Sequence, residues 1–135
     1  MPDLIHPTAY IDSRVQLGDG VRVGAFAVIE GPSRIGSDCL IESHAVIRSH
    51  VRMGDRNHVH PHAVLGGLPQ DLGFQASTET WLDIGSDNIF REGVTVSRAT
   101  KPGASTRMGS NNYFMNNVHV GHDCLLGDGN IMASV

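Results

Sequence analysis

Eight histidines in 135 residues make imidazole the side chain most available for chemistry. Two of them fall in the run His119-Val120-Gly121-His122-Asp123-Cys124, with a carboxylate adjoining the second. A neutral imidazole titrates near physiological pH, so His122 is a candidate general base. Neutral histidines also ligate zinc, and His44, His62 and His119 are the candidates for such a site. His44 and His62 lie 18 residues apart, a spacing that recurs along the chain and predicts that they stack on one face. His6, His50, His58 and His60 read as solvated or hydrogen-bonded surface residues.

The element that must carry these residues is a short repeat. From Ile5 to Leu65 every sixth residue is aliphatic or methionine, and the residue two before it is mostly small or branched. The phase breaks after Leu65 and resumes at Ile84, then breaks again and resumes at Met108. At every third hexad a glycine follows the aliphatic residue: Gly18, Gly36, Gly54, Gly85, Gly109 and Gly127. Their spacings are 18, 18, 31, 24 and 18, so one coil is 18 residues and two coils carry insertions of 13 and 6. Side chains alternate along a strand, so each hexad buries its aliphatic residue and the one two before it. A corner follows, where glycine or asparagine tolerates left-handed backbone angles.

This pattern predicts an all-β chain folded as a parallel β-helix of triangular section, its coils about 4.8 Å apart. Asn57, Asn88, Asn112 and Asn130 recur at one corner and are expected to form a ladder of amides. Only seven residues are aromatic, which suits a narrow prism filled by aliphatic side chains. Cys39 and Cys124 both count as inward-facing and stand too many coils apart for a disulfide, so both are expected to be inert core thiols.

Composition narrows the function. A net charge of −4 argues against nucleic acid, and 40% hydrophobic residues argue against disorder. No apolar run is long enough for a membrane span and no export signal follows Met1, so a single cytoplasmic domain over 1–135 is expected. The two insertions, near 71–83 and 98–107, leave one corner of the triangle, and the hexad of His122 is the next at that corner. The first carries Asp71, Phe74, Gln75, Glu79 and Trp81; the second carries Lys101, Pro102 and Gly103. Loops of this length beside a histidine are how such a prism would build a cleft.

Four stretches carry a family resemblance: Ile5-His-Pro-Thr-Ala9, Gly67-Leu-Pro-Gln-Asp-Leu72, Ile89-Phe-Arg-Glu-Gly-Val-Thr95 and His119-Val-Gly-His-Asp-Cys124. In order, and with both insertions in place, the chain resembles the UDP-N-acetylglucosamine acyltransferases of lipid A biosynthesis. The resemblance covers about the first half of that family's chain. It implies a left-handed β-helix, a homotrimer with active sites between neighbours, and no cofactor or metal. The implied reaction moves a 3-hydroxyacyl group from acyl carrier protein to the 3-hydroxyl of UDP-N-acetylglucosamine. His122 aligns with the general base, His119 with a histidine that positions substrate, and Asp71 with a substrate-binding carboxylate. Asp123 aligns with the residue beside the base, which orients or polarises it.

The resemblance departs at Gly73, where the family carries a lysine; Lys101 or Arg107 are the nearby cations. The family's oxyanion-stabilising amide, later substrate contacts and C-terminal helices are expected beyond Val135, and the last coil to end on an open sheet edge. A catalytically weak trimeric binding or scaffold module of the same fold is the alternative reading. A third reading is a metal lyase resembling the γ-class carbonic anhydrases, with His44, His62 or His119 as zinc ligands.

Overall fold

A computed structural model of the chain describes residues 4–134; Met1–Asp3 and Val135 lie outside the described residues. The described residues form 18 short strands and no helix. All strands pair in parallel, and they sort into three sheets of six. The first sheet contains Tyr10–Ile11, Val28–Ile29, Val46–Ile47, Val64–Gly67, Thr95–Ser97 and His119–Val120. The second contains Val15–Leu17, Ser33–Ile35, Val51–Met53, Trp81–Ile84, Ser105–Met108 and Leu125–Leu126. The third contains Arg22–Val23, Leu40–Ile41, His58–Val59, Ile89–Phe90, Tyr113–Phe114 and Ile131–Met132. The chain visits the three sheets in strict rotation, one strand of each per coil, as a left-handed parallel β-helix.

Register follows the hexad. Ile29 pairs with Ile47 and Ile47 with Leu65; Leu82 pairs with both Val51 and Thr106 across the two insertions. A one-residue slip would turn every aliphatic residue to solvent, which is why the pattern sets the pairing. Ile29, Ile41, Ile47, Val59, Leu65, Leu82, Phe90 and Phe114 are fully buried in the single core. Phe90 and Phe114 stack face to face at 5.1 Å, so even the aromatic residues follow the columns.

The asparagine ladder forms. The Asn88 amide NH2 donates to Asn57 Oδ1 (3.1 Å) and to the Gly109 carbonyl (3.0 Å), while Asn88 Oδ1 accepts from the Asn112 backbone N–H (3.0 Å). Asn130 continues it by donating to Asn112 Oδ1. One coil earlier the column holds Cys39, whose buried thiol lies 3.2 Å from the Gly54 carbonyl.

Three expectations change. The recurring glycines serve close approach rather than left-handed geometry. A Cβ on Gly18 would stand 2.6 Å from the Ser37 nitrogen, whereas left-handed angles fall at other positions, on Gly20, Gly129, Asn111 and Asn117 as expected but also on Asp38, His44, Arg56, His62 and Asp123. The insertions occupy 68–80 and 98–104, not 71–83 and 98–107, because Trp81–Asp83 and Ser105–Arg107 already pair with one another as strands. Cys124 is exposed rather than a core thiol, because it leads into Leu125–Leu126, the outermost strand of the second sheet among the described residues, where no further coil covers it. Both thiols are free, and burial raises that of Cys39.

Candidate active site

Both excursions and His122 meet at the corner where the chain passes from the first sheet to the second. Pairing between Arg107–Met108 and Leu125–Leu126 sets the segment 121–124 directly beside the second excursion. The Asp123 backbone adopts a left-handed φ of 65°, a conformation to which aspartate is better suited than most residues. Its N–H donates to the hydroxyl of buried Thr106 (2.9 Å), which holds the corner in place.

The Asp123 carboxylate is the hub. Oδ1 accepts from the Thr100 backbone N–H (3.0 Å), and Oδ2 accepts from the Thr100 hydroxyl (2.7 Å). The same Oδ2 lies 2.8 Å from His122 Nδ1. Burial works to raise this carboxyl, but the hydrogen bonds from Thr100 and His122 outweigh it and hold Asp123 below the usual carboxylate range. An ionised acceptor at Nδ1 favours the tautomer with its proton there, which leaves Nε2 as the basic nitrogen. His122 is a little over one-third exposed, so Nε2 is reachable from outside.

The other expected residues sit around this hub without joining it. His119 projects from the strand two residues earlier, and its Nδ1 lies 2.8 Å from the Thr95 hydroxyl on the neighbouring strand. Asp71 is exposed in the first excursion, where Oδ1 accepts from the Gly73 backbone N–H (3.0 Å). No hydrogen bond or ion pair joins Asp71 to His119, His122 or Asp123 among the described residues. Lys101 follows Thr100 and is exposed, whereas Arg107 faces Asp83 on the second sheet at 3.9 Å. Cavities of about 430 and 370 Å³ lie elsewhere, lined by residues such as Arg22 and Leu40 in one and Tyr113 and Met115 in the other.

Arg98, absent from the sequence expectations, anchors the first excursion. It is buried, and its Nη2 donates to the Ala76 and Thr78 carbonyls (3.2 and 3.3 Å) while Nη1 lies 3.1 Å from His50 Nδ1. Its guanidinium also covers the Phe74 ring. The Gly103 N–H donates to the Glu79 carbonyl, so the two excursions brace each other. Only the position of Arg98 at the foot of the second insertion hinted at this. The three candidate zinc ligands are not gathered: His44 and His62 stack at 5.3 Å along a different corner, and His119 is engaged by Thr95.

Comparison with known proteins adds the relatives. Residues 32–67 match the family model of the bacterial transferase hexapeptide (six repeats). An acyl-[acyl-carrier-protein]–UDP-N-acetylglucosamine O-acyltransferase of Syntrophobacter fumaroxidans is 42% identical over 132 residues, 97% of this chain and 51% of the relative. Among solved structures, LpxA from Acinetobacter baumannii superimposes with a TM-score of 0.91 at 37% identity, covering 96% of this chain and 50% of that one. The UDP-N-acetylglucosamine acyltransferase of Bacteroides fragilis gives 0.88 at 38% identity, covering 93% and 49%. The chain thus spans about half the length of the curated relatives it matches. The chain is a β-helix of six-residue repeats, similar over nearly its whole length to about half the length of the UDP-N-acetylglucosamine O-acyltransferases it matches.

Proposed function

We propose that this chain carries the base-bearing part of an O-acyltransferase site that moves a 3-hydroxyacyl group from acyl carrier protein to the 3-hydroxyl of UDP-N-acetylglucosamine. The observation that carries this reading is the His122–Asp123–Thr100 arrangement at the corner where both excursions leave the prism. His122 Nε2 takes the proton of the sugar hydroxyl as its oxygen attacks the thioester carbonyl. The C–O bond forms, the C–S bond breaks, and the proton passes from the imidazolium to the departing carrier thiolate. Asp123 holds the ring and stabilises its cationic form, since an ionised carboxylate 2.8 Å from Nδ1 favours the imidazolium. Asp71 and His119 contact the sugar nucleotide, and Lys101 supplies the cation that Gly73 does not. The working form is a cytoplasmic homotrimer, in which a neighbour walls the open side of each His122.

Acyl transfer by the purified chain, with light scattering to establish the trimer, tests this. His122→Ala should lower turnover about 10²–10⁴-fold, the ordinary contribution of general base catalysis, without altering the melting temperature much. Asp123→Asn keeps an acceptor oxygen but loses the charge, so its loss should be smaller. A folded trimer that neither transfers acyl groups nor is stabilised by UDP-N-acetylglucosamine is instead a scaffold module.

A further inference from the structure

A second cluster of chemistry-bearing side chains stands on the outer surface at the third sheet. His58 and His60 flank Val59 on one strand, and Glu42 occupies the position of His60 one coil earlier, because Leu40 pairs with His58 and Ile41 with Val59. The two imidazoles stack at 3.9 Å with an interplanar angle of 23°, which aims nitrogens from both at the same place. His58 Nε2 lies 2.6 Å and His60 Nδ1 3.1 Å from a single oxygen, Glu42 Oε2. From the coil on the other side, Glu92 Oε2 lies 3.9 Å from His60 Nδ1.

We infer that Glu42, His58 and His60 form a binding site for one divalent transition-metal ion, zinc being the best fit, with Glu92 placed to supply a further oxygen. Among the described residues this is the group of three whose ligand atoms all lie within 4.8 Å of one another. Ligand atoms about 2.0–2.2 Å from a tetrahedral zinc stand roughly 3.3 Å apart, so small side-chain rotations convert the present contacts into coordination. Two imidazole nitrogens and a carboxylate are a common zinc donor set, and they leave a position for water or Glu92.

The charges agree. Arg91 is the adjacent cation, but it is tied to Glu92 Oε1 and the Tyr113 hydroxyl, which leaves Glu92 Oε2 facing His60. His58 and Glu42 are each about one-third exposed, which gives an ion a direct path from solvent. The columns that hold these residues are fixed by strand pairing, so the site is assembled by the prism rather than by a flexible loop. Bound metal would tie the coil of Glu42 to that of His58 and His60 and, through Glu92, to the next.

Cobalt(II) tests the assignment, because nitrogen and oxygen ligation of low symmetry gives it visible absorption. The full chain, stripped with a chelator, should take up one cobalt ion per chain saturably, release it to zinc, and melt at a higher temperature with zinc bound. Glu42→Gln and His60→Ala should each weaken binding at least about tenfold, whereas His44→Ala and His62→Ala should not. Glu42→Gln nearly preserves size and hydrogen bonding, so a folded variant is available if His60→Ala unfolds. Absence of a saturable signal, or affinity unchanged in Glu42→Gln, overturns the assignment.

Discussion

His50 shows how a single ring can make the fold sensitive to pH. Burial, and then the charge of Arg98, push its pKa below the ordinary 6.5, and its Nδ1 takes part in a contact with the Arg98 guanidinium that needs a neutral ring. In the unfolded chain the ring titrates near 6.5, so below that pH the unfolded state binds more protons than the folded one. Stability therefore holds above that value, falls as the pH drops through it, and levels off below the lowered native value. Urea midpoints on either side of 6.5 should show this loss, and His50→Gln should flatten it. At the same scale, His122 and Asp123 were legible in the sequence because the hexad phase places them at the corner from which the insertions leave. Their partners were not. Thr100 lies 23 residues and Thr106 17 residues upstream of Asp123, and Thr100 belongs to a segment without periodicity. Arg98 was invisible for a related reason: a buried cation held mainly by loop carbonyls has no spacing rule.

Among the elements, the asparagine ladder gives the sharpest test of what the corner requires. Replacing Asn88 by leucine keeps the volume but orphans the buried Asn112 N–H, and it leaves Asn57 Oδ1 with only the backbone N–H of residue 88 and the Gly109 carbonyl with only that of Gly85. The orphaned donor costs about 1–3 kcal/mol and each of the two other lost hydrogen bonds about 1 kcal/mol, so Asn88→Leu should lose about 3 kcal/mol or more in denaturant unfolding. Cys39→Val, in the same column one coil before Asn57, should cost under about 1.5 kcal/mol, because only a thiol contact is lost. A loss in Asn88→Leu no larger than in Cys39→Val would show that the ladder is ornament rather than support. The ladder and all three sheets could be read from period six and period 18, since side-chain alternation ties those periods directly to burial. The reason for the glycine column could not: only the stacked coils reveal that a Cβ on Gly18 would meet the backbone of Ser37.

For the whole molecule, the two interruptions of the repeat have a thermodynamic meaning. Most coils close a loop of 18 residues, but the fourth closes 31 and the fifth 24, as the spacing of bonded partners records. Closure entropy grows only with the logarithm of length, so the extra cost is about 0.5 kcal/mol for the first excursion and about 0.25 kcal/mol for the second. A prism that grows by adding coils would pause only about twofold at the longer closure. Inserting a few glycines and serines into 98–104, away from Thr100, should accordingly move the melting temperature by no more than a few degrees. A large drop would mean that the braces between the excursions, such as Gly103 to Glu79, support the prism itself. In a solenoid of this kind the corner is thus a place where evolution can lengthen, shorten or exchange a loop at little thermodynamic risk, leaving the frame free to keep its period while the chemistry at its edge changes.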